Sequence, residues 1–269
     1  MKPRIRKYAA ADVPALCGLW LRNFDDTENF VRSFHADLPR IGGCMVAELE
    51  GKIIGAAYAL MGQQLAESGK EPVKLGFLYG VSVDGEYRRH GVGAAVVSAA
   101  YALSKELGAQ TVAILPARAQ LYDWYGSVLG MEHVLFRSAE TVAADNPEPC
   151  VPISAAEYLE KREALLEKRP HVLLTEASMD FAKELMVEYG GDLYAVSGGV
   201  AAAYIDGGLA LVRELLLPEG GDTRRAAAAV AYAMGTQQAR LFLPSRQGDR
   251  YILSDRALPA DCVWNLSFD

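Results

Sequence analysis

Val81-Ser82-Val83-Asp84-Gly85-Glu86-Tyr87-Arg88-Arg89-His90-Gly91-Val92-Gly93 runs from a β-branched strand into a glycine turn that opens a long apolar helix. An Arg followed at the third and fifth positions by Gly lets the main chain fold close around an anion. The free N–H groups and positive pole of the helix then face that anion. A Gly-x-Gly turn alone is weak evidence, and its flanks give it weight.

Leu75, Phe77, Tyr79, Val81 and Val83 alternate as a strand does. Gly91 to Leu107 reads as a helix, with Val92, Val96, Ala99, Leu103 and Leu107 near one stripe and Gly108 as a left-handed stop. Thr111 to Leu115 follows as a second strand, halted by Pro116. Strand, anion turn, helix and strand form a βαβ unit whose ligand belongs at the C-terminal end of the first strand. Nucleotide binding fits less well: no Lys-Ser or Lys-Thr follows the glycines for a Walker loop, and no third Gly stands at Rossmann spacing.

These residues resemble the GCN5-related N-acetyltransferases, or GNAT proteins. The motif of that family is Gln or Arg, two residues, Gly, one residue, then Gly or Ala, after a strand ending Val-x-Val. Here Arg88-Arg89-His90-Gly91-Val92-Gly93 follows Val81-Ser82-Val83, and a Tyr-bearing helix at Leu121 to Leu129 follows the next strand. The likeness covers residues 1 to 140 as a fold and is sharp over 75 to 131.

The resemblance implies an α/β fold with a mixed central sheet flanked by helices. It further implies acetyl-CoA or another acyl-CoA as co-substrate, no metal, and transfer of the acyl group to the primary amine of a small molecule or peptide. The diphosphate would lie on Arg88, Arg89, Gly91, Val92, Gly93 and Ala94. Backbone groups would do most of that binding, with Arg88 or Arg89 adding a charge-assisted contact. Val81 and Val83 would present their backbone to the pantetheine arm, and the Val83 N–H would meet the thioester oxygen. As ordinary strand residues, both valines also suit a core.

Direct transfer needs a neutral amine, and an alkylamine costs about 4.6 kcal/mol to deprotonate at pH 7. Many GNAT relatives place a Glu on the strand before the turn to offset this. Leu75 to Val83 holds no acid, so the general base is unassigned. Relatives protonate the departing thiolate with a Tyr on the helix after the second strand, and Tyr125 in Leu121-Tyr122-Asp123-Trp124-Tyr125 is the candidate. Tyr122 lies one turn earlier on a similar face, and simple packing accounts for either ring. Gly130-Met131 arrives one residue later than the family spacing, which shifts the end of this helix. Asp25, Asp26 and Glu28 stand where relatives borrow an acceptor pocket, yet capping and solvation explain them equally well.

A chain of 269 residues with 51% hydrophobic content is long enough for two ordinary domains. Its 27 basic and 34 acidic side chains leave a net charge of −7, which argues against a non-specific nucleic-acid partner. Cys17, Cys44, Cys150 and Cys262 lie far apart with no Cys-x-x-Cys pair, which argues against a metal site and a disulfide framework. Met1-Lys2-Pro3-Arg4 carries charge without an apolar run, and no stretch reaches membrane-spanning length free of charges. A cytoplasmic protein with no membrane partner is the expectation.

Before the motif, Asp12 is placed to cap a helix with Leu16, Leu19 and Trp20 inward, and a second helix includes Phe30 and Phe34. Met45 to Leu49 and Ile53 to Leu60 read as a hairpin around Glu50-Gly51, followed by a polar loop from Met61 to Glu71. After the motif, a strand at His133 to Phe136 leads to Asn146-Pro147-Glu148-Pro149, a boundary signal. Ser154-Ala155-Ala156-Glu157 is a capping box opening a helix that ends near Pro170.

From His171 the first half is echoed. Ala201-Ala202-Ala203-Tyr204 resembles Gly55-Ala56-Ala57-Tyr58, Leu215-Leu216-Leu217 precedes an Ala-rich helix, and Arg240 to Pro244 matches the strand ending at Pro116. The expected layout is a catalytic domain over 1–140, a linker and helix over 141–170, and a degenerate GNAT-like domain over 171–269. With Val83 matched to Leu217, Arg225 and Ala227 replace Gly91 and Gly93, and Asp222 caps the helix where a phosphate would lie. A carboxylate there competes with an anion.

Two functions follow, an acyl-CoA-dependent N-acetyltransferase or a non-catalytic acyl-CoA-binding or regulatory protein. Both predict CoA binding. The acceptor is not readable from a fold.

Overall fold

Glu50 and Gly51 both take left-handed backbone, at φ 51° and 78°, which turns Gly42–Leu49 back on Lys52–Ala66 as an antiparallel hairpin. This computed structural model describes residues 2–145 and 148–264. In chain order the elements are β1 (Arg4–Lys7), α1 (Val13–Leu21), α2 (Glu28–Ile41), β2 (Gly42–Leu49), β3 (Lys52–Ala66), β4 (Val73–Val83), α3 (Val92–Glu106), β5 (Thr111–Ile114), α4 (Ala119–Leu129) and β6 (His133–Ala143). There follow β7 (Val151–Pro152), α5 (Ala155–Leu166), β8 (His171–Leu174), α6 (Glu176–Glu188), β9 (Asp192–Val196), β10 (Gly199–Asp206), β11 (Leu209–Leu216), α7 (Thr223–Ala233), β12 (Gln238–Ser245) and β13 (Asp249–Ser254).

These elements form two units. One comprises the residues up to Gln64, Val73–Val134 and Ile252–Ala257; the other comprises Leu65–Pro72, Leu135–Tyr251 and the residues from Leu258 on. The segment read as a linker, 141–170, contains β7 and α5 and falls in the second unit.

The first unit is built on a mixed sheet in the order β1-β2-β3-β4-β5-β13. Pairing is antiparallel for β1/β2, β2/β3 and β5/β13 and parallel for β4/β5, the two strands joined through α3. Helix α3 packs on β2 and β4, α1 on β4, and α2 on β2. Val92, Val96, Val97 and Ala100 of α3 share a core with Ala47, Ile54, Leu78, Val112, Tyr122 and Tyr125. The last strand is pinned by Asp255, whose carboxylate accepts from the Val112 amide at 2.9 Å and the Tyr101 hydroxyl at 2.8 Å and pairs with Lys105 at 2.7 Å.

Two local expectations fail here. The polar loop from Met61 is instead the continuation of β3, which runs to Ala66 with Gln63 and Leu65 buried. Asp12 stands at the N-cap of α1 but makes no cap, because Arg6 takes its carboxylate at 2.6 and 2.9 Å and the Ala9 amide donates to it as well.

The second unit has the sheet order β6-β12-β11-β10-β9-β7. Its strands pair antiparallel except β11/β12, which are parallel and joined through α7. Ala226 to Ala231 of α7 are buried, since alanine favours helix and lets it approach β11 and β12 closely. Ser154 is the N-cap of α5 as expected, its Oγ accepting from the Glu157 amide at 3.1 Å. Inward on α5, Arg162 donates to Glu214 at 2.8 Å and to the Val172 carbonyl at 2.9 Å, and Tyr158 donates to Glu214 at 3.0 Å. A buried ion pair costs desolvation, and these added hydrogen bonds are what offset it. No helix among the described residues is long and apolar enough to cross a membrane.

Candidate functional site

The parallel ladder between β4 and β5 ends at Leu78↔Ile114, while β4 runs on through Tyr79–Val83. Beyond Leu78 the edge of β4 that faced β5 no longer pairs with it. The Asp84 amide donates to Ile54 O of β3 at 2.9 Å. Because backbone groups alternate between the two edges of a strand, the Val83 N–H and C=O point away from β3, on that edge.

The divergence begins at a bulge. Gly80 takes a φ of +54°, and a Cβ built on it would lie 2.8 Å from Trp20 and 2.9 Å from Tyr58. Before it, Tyr79 packs on Trp20 at 5.6 Å between centroids; after it, Val81 and Val83 pack against the α3 core that also contains Leu78. An inserted residue flips every later side chain to the other face. The five residues that alternate in sequence thus do not line one face of β4. The sequence reading passed over Gly80, although a lone Gly inside a strand pattern marks such a bulge.

After β4 the chain makes a 3₁₀ turn, Gly85–Tyr87, capped by Asp84. Arg89 and Gly91 then adopt left-handed backbone, at φ 65° and 79°. Gly91 is the N-cap of α3 and has no side chain to offer, so no side-chain oxygen covers the first turn. The Ala95 amide is the first to find an intrahelical carbonyl, that of Gly91 at 3.0 Å. Val92, Gly93 and Ala94 present their N–H groups ahead of it at the positive end of the helix. A Cβ at Gly93 would touch Val83 Cγ2 at 3.5 Å and Trp124 Cη2 at 3.7 Å. Strand end, helix start and α4 converge at this point.

The two arginines differ. Arg88 Nε donates to Val83 O at 3.2 Å, and its Nη2 donates to Asn23 Oδ1 at 2.7 Å. Arg89 makes neither contact, and both arginines are exposed and line a hollow of about 560 Å³ with Gly85, Glu86 and His90. His90 Nδ1 lies 2.8 Å from Arg88 O and helps fix the loop.

Tyr125 and Tyr122 are both 6% exposed and belong to the α3 core. Tyr125 packs edge-on against Trp124 at 4.7 Å. Its hydroxyl has no hydrogen-bond partner among the described residues, and burial pushes its pKa well up, which keeps the phenol protonated. Gly130, at φ 68°, ends α4 directly after Leu129.

The acidic segment is occupied. Asp26 accepts from Trp20 Nε1 at 2.7 Å, Thr27 caps α2, and Glu28 pairs with Arg32. Behind Trp20 lies a pair the sequence did not suggest, His35 Nε2 and the Tyr58 hydroxyl at 2.8 Å, with His35 Nδ1 2.7 Å from Val31 O. Among the described residues no cluster of His, Cys, Asp and Glu is arranged to hold a metal.

The family model described as Acetyltransferase (GNAT) domain matches residues 4–128. GCN5-related N-acetyltransferases from Kribbella flavida, Anabaena variabilis and Sphaerobacter thermophilus are similar in structure, with TM-scores of 0.66, 0.63 and 0.54. They are 16%, 12% and 16% identical in sequence, with 94% of this chain covered in each case and 71%, 72% and 95% of theirs. At these identities the likeness shows the fold, an α/β GNAT fold with a mixed sheet and flanking helices. Among curated proteins no sequence matches the chain.

Proposed function

We propose that the first unit is an acyl-CoA-dependent N-acyltransferase that moves an acetyl or other acyl group from the thioester to a primary amine. The observation that carries this reading is the opening between β4 and β5 beyond Leu78↔Ile114, set directly before the uncovered first turn of α3. An extended thioester arm pairs with the open edge of β4 at Val81 and Val83. Its diphosphate rests on the N–H groups of Val92, Gly93 and Ala94, with Arg89 supplying charge.

In this mechanism the amine attacks the thioester carbon. The oxygen that gains charge takes a hydrogen bond from the Val83 N–H, a donor whose loss typically costs about a hundredfold or more in rate. Collapse of the tetrahedral intermediate expels the thiolate, and the Tyr125 hydroxyl, protonated and without a partner among the described residues, gives it a proton. No base is assigned, because β4 carries no acid between Leu75 and Val83.

The second unit is, on this reading, a degenerate copy. In each unit a parallel ladder ends, at Leu78↔Ile114 and at Val212↔Leu241, and a strand–helix–strand crossover spans it. Five residues past these points stand Val83 and Leu217, and two past them stand Gly80 and Glu214. Glu214, held by Arg162 and Tyr158, fills the place of the bulge glycine, and Asp222 fills the first turn of α7. Neither feature leaves room for an anionic thioester carrier.

Calorimetry with CoA and acetyl transfer to a panel of amines test the proposal. The wild type takes up a single CoA and transfers, and Gly91→Glu abolishes both. Absence of heat with the wild type overturns the reading; uptake without transfer to any amine makes the chain an acyl-CoA-binding protein.

A further inference from the structure

Arg88 opens the glycine motif, and its guanidinium, though exposed, is hydrogen-bonded within the protein. It spans two oxygens on different elements: Nε reaches Val83 O at 3.2 Å, and Nη2 reaches Asn23 Oδ1 at 2.7 Å. Asn23 is anchored in turn, its Nδ2 donating to Leu19 O at 2.8 Å and its amide to Trp20 O at 2.8 Å. Beside it Arg22 meets Asp84 at 3.4 Å, and Asp84 also meets Lys52 at 3.4 Å. Two contacts thus run from the end of α1 to the segment 84–88. At the same end of α1, Trp20 closes on Gly80, the bulge at which β4 parts from β5.

We infer that Arg88 is a positioning residue: it ties the turn after α1 to the last carbonyl of β4, and so fixes the wall of the opening in which the acyl group is transferred. Arg89, which makes neither of these contacts, is then the arginine of the motif that supplies charge for the diphosphate. The inference rests on the proposed acyl-CoA reading for its kinetic consequence, and its structural part stands without it. A guanidinium suits this place because its planar fork satisfies two separated oxygens at once, which an ammonium on a flexible stem does not.

The test has two arms. In the first, amide exchange is followed in the ligand-free protein at Asn23 and Phe24, whose amides both donate to Trp20 O. Arg88→Ala and Asn23→Ala are each expected to speed this exchange by about tenfold, with the double variant no faster than either, because local opening is governed by the contacts that hold the segment. Arg88→Lys is expected to exchange as fast as Arg88→Ala. Unchanged exchange in Arg88→Ala, or restoration by lysine, overturns the strap.

In the second arm, with an amine found to be a substrate, Arg88→Ala raises the acceptor KM about fivefold and the acetyl-CoA KM less than about twofold, and Arg89→Ala shows the reverse, as loss of a phosphate contact does. An equal rise in the acetyl-CoA KM for both variants makes Arg88 a phosphate ligand and overturns the inference. Should wild type bind no CoA, the acyl-CoA reading has failed, and the exchange arm still decides the strap.

Discussion

Asp222 Oδ1 accepts a hydrogen bond from the Arg225 amide at 3.0 Å, filling the first turn of α7, whereas the first turn of α3 behind Gly91 has no side-chain cap. Each helix joins the two strands of a parallel pair, β4/β5 for α3 and β11/β12 for α7, and the two differ in the residue at the N-cap. A carboxylate there stabilises the helix and repels an anion; a bare glycine leaves the amides to a ligand.

Asp222→Ala is therefore expected to lose about 1 kcal/mol of stability in urea denaturation, the usual worth of a side-chain cap. An unchanged urea midpoint would show that the cap contributes nothing to the fold.

Gly91 and Gly93 do different work. Gly91 stands at φ 79° with open space around its missing side chain, so Gly91→Ala costs backbone strain of about 1–2 kcal/mol. Gly93 carries no such φ, and a Cβ there meets its neighbours at 3.5 Å and beyond, an ordinary contact. Gly93→Ala should leave the melting temperature nearly unchanged while Gly91→Ala lowers it. Equal losses in thermal denaturation would count against the assignment of the turn to Gly91.

Tyr125→Phe removes a hydroxyl that no described residue engages. Stability should hold, while acyl transfer falls by about a hundredfold, the usual share of a positioned acid. A variant with the wild-type turnover number would remove Tyr125 from the mechanism.

Burial lowers the pKa of His35 below the usual value of 6.5, against the opposing pull of the Val31 carbonyl. Between the folded and the ordinary value the unfolded chain binds the extra proton. Stability is therefore complete above about pH 6.5 and declines as pH falls through the window beneath it. Urea midpoints taken from pH 8 to pH 5 should fall in the wild type and fall less steeply in His35→Gln. Parallel profiles would place the acid sensitivity elsewhere.

Local patterns made much of both units readable. The hairpin at Glu50-Gly51, the strand–turn–helix–strand from Leu75 to Ile114 and the cap of α7 by Asp222 all appear where residue chemistry puts them, because each is set by neighbours a few positions away. Asp12 misled for the same reason in reverse: a good cap in sequence, its carboxylate was claimed by Arg6, which the strand pairing of β1 brings near. Gln63 and Leu65 read as loop, yet β3 continues through them.

By itself the sequence determined the glycine turn, since glycine takes the left-handed N-cap of α3 without the strain of a Cβ and the following apolar stripe commits the chain to helix. Tertiary structure alone decided that β4 bulges at Gly80 against Trp20, that Val81 and Val83 change face there, and that Arg88 reaches Asn23. These depend on elements distant along the chain arriving at one place. Packing between them is a sum over many contacts that no short stretch of residues encodes.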